Sequence, residues 1–110
     1  MKFSINNRIF NYIASSSHRL STDDVLFTFK NFDDLCLGFV VPKSMGSACL
    51  RNKFKRRCRA AFEKLVVDSS FPSVGVIVKP RSIDLKSNEI NKSFNALYNQ
   101  ISNTYGRSST

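Results

Sequence analysis

Seven basic side chains and no acidic one lie between Lys43 and Arg59, and six of the seven fall within the nine residues 51–59. Guanidinium and ammonium groups at that density suit phosphate chemistry: arginine offers a planar fork of donors and lysine a compact point charge. The run does not read as a solvated tail, because apolar residues thread through it at helical spacing. Leu50, Phe54, Cys58, Ala61, Phe62 and Leu65 form one stripe at roughly 100° per residue. Arg51, Asn52, Lys55, Arg56 and Arg59 then project from the remaining surface. An ordinary solvated helix face mixes its signs, whereas here no acid intervenes before Glu63. Like charges so close together repel, and the helix costs stability until a polyanion neutralises it. A rigid cationic face held down by an apolar edge is a surface for nucleic acid.

Other chemistry is thinly represented. The one histidine, His18, sits in a serine-rich loop, and nucleophilic catalysis needs a histidine close to both a nucleophile and an orienting acid. Half of the eight acids come as Asp23-Asp24 and Asp33-Asp34. Neighbours on a strand face opposite ways, so each pair is a poor chelate and reads as edge and turn polarity. The four glycines are isolated, with no phosphate-binding loop among them. Cys36, Cys49 and Cys58 are odd in number and lack a C-x-x-C pair, which reads as reduced thiols in a cytoplasmic protein. Phe3, Phe10, Tyr12, Phe27, Phe29 and Phe39 lie on or near the first helix and the hairpin. Any that face outward would stack unpaired bases, favouring RNA over DNA. The alternation along residues 27–29 and 38–40 suits a sheet core for most of them.

The elements that must position these groups follow from periodicity and punctuation. Residues 5–14 carry a weak helical pattern, ended by Ser15, Ser16 and Ser17. Residues 25–30 and 35–41 read as strands joined through Asn31-Phe32-Asp33-Asp34, an antiparallel hairpin, with a further short strand admissible at residues 19–22. Pro42 ends the second strand, Ser47 is a plausible N-cap, and the basic helix is expected over residues 48–67. Residues 74–78 are continuously apolar, the mark of a central strand stopped by Pro80. Ser87 opens a last helix carrying Ile90, Phe94, Leu97, Tyr98 and Ile101 on one face, without a full capping box. The expected fold is an α+β two-layer sandwich of order α-β-β-(β)-α-β-α, a small mixed sheet with helices packed on one side. The 110 residues suffice for one domain over residues 1–110, with residues 104–110 expected as a disordered tail. The net charge of +9 predicts a polyanionic partner and says nothing of fold. No apolar run reaches the roughly 20 residues of a membrane helix, and none follows Lys2 as a signal peptide would require.

The stretch from Leu37-Gly38-Phe39-Val40-Val41-Pro42-Lys43-Ser44-Met45-Gly46-Ser47-Ala48 into Arg51-Asn52-Lys53, Lys55, Arg56 and Arg59 resembles the bacterial ribonuclease P protein component. That family carries a Gly-aromatic-x-Val-Ser-Lys-Lys-x-Gly-x-Ala segment running without a gap into an Arg-Asn-Arg helix. The resemblance extends from Val25 through Val76-Ile77-Val78-Lys79 and the last helix. It implies a protein subunit of a ribonucleoprotein that removes the 5′ leader of precursor tRNA, with hydrolysis carried by the RNA subunit and its Mg²⁺. On that resemblance the chain bears no catalytic residue and no cofactor of its own. Its partners are ribonuclease P RNA and precursor tRNA, with no membrane and no protein partner, and its location is cytoplasmic. Lys43, Arg51, Asn52, Lys53, Lys55, Arg56 and Arg59 match positions facing the catalytic RNA. Ile9, Ile13, Phe27 and Lys79 match positions of a leader-binding cleft. A left-handed β-α-β crossover over the basic helix is also implied, against the right-handed rule for such connections. Lys53 replaces the second arginine of the motif, Pro42 and Ser44 replace serine and lysine, and Ile9 and Ile13 stand where phenylalanine is frequent. The alternatives are a ribosomal or other structural RNA-binding protein, a protein-only nuclease, and a binder of anionic membranes, the last disfavoured by an apolar stripe facing the sheet.

Overall fold

A computed structural model describes residues 5–105 apart from Ser70. Phe3 and residues 106–110 of the expected tail lie outside the described residues. The chain runs α1 (Asn7–Ala14), β1 (Arg19–Ser21), β2 (Val25–Asn31), β3 (Cys36–Phe39), a 3-10 turn (Lys43–Met45), α2 (Ala48–Asp68), β4 (Val74–Pro80) and α3 (Ser87–Tyr105). The last helix thus continues through Thr104 and Tyr105, two residues expected in the frayed tail.

The four strands are ordered β1-β2-β4-β3. β2 is antiparallel to β4 and β3 is parallel to it, so β2 and β3 are not the hairpin that their short connection predicts. The physical reason lies in β4. All five residues from Val74 to Val78 are buried, and a strand apolar on both faces belongs inside a sheet. It inserts between β2, which buries alternate residues only, and the four-residue β3. The connection after β2 crosses the start of β4, where the Phe32 N–H donates to Ser73 O.

The strand alternation separates two cores. On one face Val25, Phe27 and Phe29 of β2 and Val74, Val76 and Val78 of β4 meet Phe54, Cys58 and Phe62 of α2 and Ile90, Phe94, Leu97 and Ile101 of α3. On the other face Ile13 of α1 packs with Cys36 and Ile77, bordered by Ile5, Ile9, Phe10, Phe32 and Val40. The helices therefore occupy both sides of the sheet rather than one. Gly75 makes this possible: a Cβ there would stand 2.7 Å from Ile13 Cγ1 and closer still to Cδ1. The missing side chain is the seat of α1.

Caps behave partly as the sequence predicts. Ser47 Oγ accepts from the Leu50 N–H at 3.2 Å, starting α2. At α3 the half-box is shifted by one residue, with Glu89 Oε1 accepting from the Lys86 N–H at 2.9 Å. At α1, Asn6 Oδ1 accepts from the Ile9 N–H at 2.9 Å, which offsets the poor helix propensity of its asparagines.

Candidate nucleic-acid interface

α2 presents the cationic surface. Its inner edge is closed: Phe54, Cys58, Ala61 and Phe62 are at most 4% exposed. Leu50, expected on the same stripe, is instead more than a third exposed and lies beside the Gly46 turn. It belongs to the first turn of the helix, ahead of the point where the sheet covers it. Burial drives the Cys58 thiol well above its usual pKa, against the opposing charge of Arg59. That thiol is a core atom and not a nucleophile.

The basic residues divide into two flanks. Arg51, Lys55 and Arg59 follow one another at four-residue intervals and so share a line along the helix. That line faces β3: the Arg59 guanidinium stands 5.3 Å above the Phe39 ring, and Phe39 in turn packs edge-on to Phe54. Arg51 Nε donates to Gly46 O at 3.2 Å, which ties the head of the helix to the turn before it. Lys43, exposed in that turn, packs next to the start of α2. Asn52 and Arg56 are exposed on the crest, and Lys53 and Lys55 are half-buried. Six of the seven predicted RNA-facing residues therefore lie on one helix, with Lys43 at its entrance. Arg57 has a different task. Its Nη1 donates to Leu85 O at 2.6 Å and fastens α2 to the approach of α3.

The predicted leader cleft comes together only in part. Ile9 is half-buried on the α1 side of the sheet. Ile13 is completely buried over Gly75, so it supports the surface from beneath without reaching it. Phe27 is overturned as a cleft residue: it points to the opposite face and packs against Phe94, centroids 5.1 Å apart. Residues 25, 27 and 29 share a face by strand alternation, and α3 covers that face. Lys79 is exposed and pairs across the sheet with Leu26, which places it on the α1 side.

Sequence reasoning missed a hollow of about 390 Å³ at the end of α1, lined by Tyr12, Ser15, Ser17, His18, Lys30 and Tyr105 among others. Lys30 Nζ donates to Ser15 Oγ at 3.2 Å and stands 4.2 Å over the Tyr12 ring. His18 stacks on Phe29 and meets the edge of Tyr105. Buried Ser16 fixes the loop, its Oγ donating to Phe29 O at 2.6 Å while accepting from the His18 N–H at 3.0 Å. Burial raises the Tyr105 phenol above its usual pKa, partly opposed by a hydrogen bond with the Asn31 backbone. The signal was present in Tyr12 and His18, but the third wall, Tyr105, fell in the expected tail. A cation beside hydroxyls and aromatic rings can take a phosphate and its base together.

The sequence profile of the family described as Ribonuclease P matches residues 5–102. A curated relative from Oceanobacillus iheyensis, "Ribonuclease P protein component", is 28% identical, covering 83% of this chain and 78% of its own. The structure of the Staphylococcus aureus RNase P protein superposes with a TM-score of 0.70 at 28% identity, covering 84% of this chain and 88% of that one. The Thermotoga maritima RNase P protein shares the fold, with a TM-score of 0.72 at 24% identity over 86% of this chain and 93% of that one.

Proposed function

The chain belongs to the ribonuclease P protein family, and from that membership we propose how its surfaces serve the enzyme. It is the protein subunit of an endoribonuclease complex acting in 5′ processing of tRNA, and ribonuclease P RNA is its partner. The reading of the contacts rests on one observation: α2 carries an unbroken cationic surface from Arg51 to Arg59, while Phe54, Cys58 and Phe62 are at most 2% exposed. The charge is thereby fixed in space before RNA arrives, and little ordering cost remains to be met on binding.

Lys43, Arg51, Asn52, Lys53, Lys55, Arg56 and Arg59 contact phosphates and sugars of the catalytic RNA. Arg59 does so from a guanidinium already held 5.3 Å over the Phe39 ring. The single-stranded 5′ leader of precursor tRNA passes on the α1 side of the sheet, between Lys79 and the hollow at Tyr12 and Lys30, with Ile9 at its margin. Replacing phosphate–phosphate repulsion by lysine and arginine contacts raises the affinity of the RNA enzyme for its substrate. Hydrolysis stays with the RNA subunit, which uses Mg²⁺. The setting is cytoplasmic, and no described helix is long and apolar enough to cross a membrane.

Reconstitution tests this. Wild-type protein added to the cognate ribonuclease P RNA is expected to tighten binding of precursor tRNA relative to mature tRNA. The triple variant Arg51→Ala, Lys55→Ala, Arg59→Ala is expected to fail in assembly at moderate salt. A triple variant that assembles and processes like wild type, or protein that cleaves precursor tRNA with no RNA subunit, overturns the reading.

A further inference from the structure

The flank of α2 turned towards α3 has a pattern of its own. Arg56, Ala60 and Lys64 recur at four-residue intervals on α2, and Ser87, Asn91 and Asn95 recur at the same interval on α3. Two adjoining hollows of about 320 and 270 Å³ lie between the rows and share Ala61, Lys64 and Asn91. Ser87 borders the same hollow as Arg56, and Asn95 borders the other with Asp68, so the two rows run in the same sense. All six row residues are exposed. The floor is low because it is alanine, and Ala61 is buried while Ala60 is open. The groove is also stiff, since Arg57 Nη1 holds Leu85 O at 2.6 Å just ahead of α3.

The chemistry of the rows is unequal. The α2 side offers two cations, Arg56 and Lys64, eight residues and roughly 12 Å apart along the axis. The α3 side offers a hydroxyl and two amides, each amide both donor and acceptor. A four-residue step advances about 6 Å, the scale of one nucleotide along a strand. Phosphate suits the cations. The ribose 2′-hydroxyl, itself donor and acceptor, suits the amides and distinguishes RNA. Asp68 closes the far end with a repelling charge, and Glu89 lines neither hollow. The track is therefore short and bounded. Leu65 is the one large hydrophobic side chain lining the two hollows, too little to hold an apolar peptide.

We propose that this groove between α2 and α3 seats one sugar–phosphate strand of RNA. Phosphates lie at Arg56 and Lys64, and ribose hydroxyls lie at Asn91 and Asn95. The proposal rests on the reading that ribonuclease P RNA docks on α2, and extends the contact to a flank separate from the line of Arg51, Lys55 and Arg59.

The test uses the full-length protein and its cognate ribonuclease P RNA, transcribed in vitro and titrated across a salt series. Lys64→Ala is expected to lower the slope of log affinity against log salt by about one. The pair Asn91→Ala, Asn95→Ala is expected to weaken binding roughly tenfold with the slope unchanged. Both variants alter exposed groups, and unfolding curves matching wild type confirm that each is folded. Wild-type affinity and slope in both variants, while the Arg51/Lys55/Arg59 triple variant loses binding, overturns the groove and leaves the docking of α2 intact. Wild-type behaviour in all three overturns both.

Discussion

Replacing Gly75 by alanine should loosen α1 from the sheet, and the cost follows from the geometry. The added methyl would lie 2.7 Å from Ile13 Cγ1, closer still to Cδ1, and 3.2 Å from Cys36 Sγ. Carbon atoms rest about 3.5–4.0 Å apart, so Ile13 must retreat by about 1 Å or more, yet it is completely buried. Overpacking of this kind costs about 1–3 kcal/mol. At about 4 °C per kcal/mol for a domain of this size, the melting temperature falls by roughly 4–12 °C. Ile13→Ala alone removes a buried isoleucine and costs about 2–5 kcal/mol. In the double variant the new methyl fills part of the vacated space. The two losses should then fall short of additive by about 1–3 kcal/mol. Denaturant unfolding of the four proteins closes the cycle. Binding should separate too, with leader affinity falling in Gly75→Ala while affinity for the RNA subunit, proposed to dock on the opposite face, holds. An unchanged melting temperature, or additivity within about 0.5 kcal/mol, would show that α1 does not sit over Gly75.

The other expectations are briefer. Removing the three proposed phosphate contacts with Arg51→Ala, Lys55→Ala, Arg59→Ala should flatten the salt slope for the RNA subunit by about 2–3, read by titration between low and moderate salt. Arg57→Ala should lose about 1.5 kcal/mol of stability through the bond to Leu85 O, measured by denaturation; a change in RNA affinity at unchanged stability would contradict its structural role. A thiol-exchange reagent near pH 8 should label exposed Cys49 in the native protein and reach buried Cys36 and Cys58 only on unfolding. The folded pKa of Cys58 is raised, so its contribution to stability is complete below the ordinary thiol value near 9 and is lost as pH rises beyond it. Against Cys58→Ala, the wild type should therefore lose up to about 1.4 kcal/mol more per pH unit in that alkaline range.

The basic helix was legible because its signal is local. Ser47, the apolar spacing through Phe54, Cys58 and Phe62, and the absence of acids all lie within one continuous segment, and the helix spans Ala48–Asp68 with those three side chains buried. Strand partnership was not legible in the same way. The four residues between β2 and β3 look like a hairpin turn, and only the both-faced burial of β4, 35 positions after the end of β3 by chain number (74 − 39), decides that the pair is split. Phe27 failed for a related reason. Its face depends on which side α3 covers, a choice made by Phe94 and Leu97 far along the chain. In the sequence Gly75 is merely part of an apolar run, because a missing side chain announces nothing until Ile13 packs against it. The third wall of the hollow, Tyr105, was hidden by the polar composition of its neighbours, which resembles a fraying end.

β4 is the element through which the two proposed RNA surfaces are tied. Val74, Val76 and Val78 face α2 and α3, whereas Gly75, Ile77 and Lys79 face α1. A slip of one residue would exchange these sets, driving valine side chains into the space reserved for Ile13 and turning Lys79 into the main core. The register is therefore strongly specified, and with it the separation of the α2 flank from the Lys79 side of the sheet. A subunit proposed to hold a catalytic RNA on one side and a substrate strand on the other gains from such a register, because one strand fixes which residues each surface is built on. Loosening β4 should thus weaken both contacts at once, whereas surface substitutions on α2 or beside Lys79 should weaken one and spare the other.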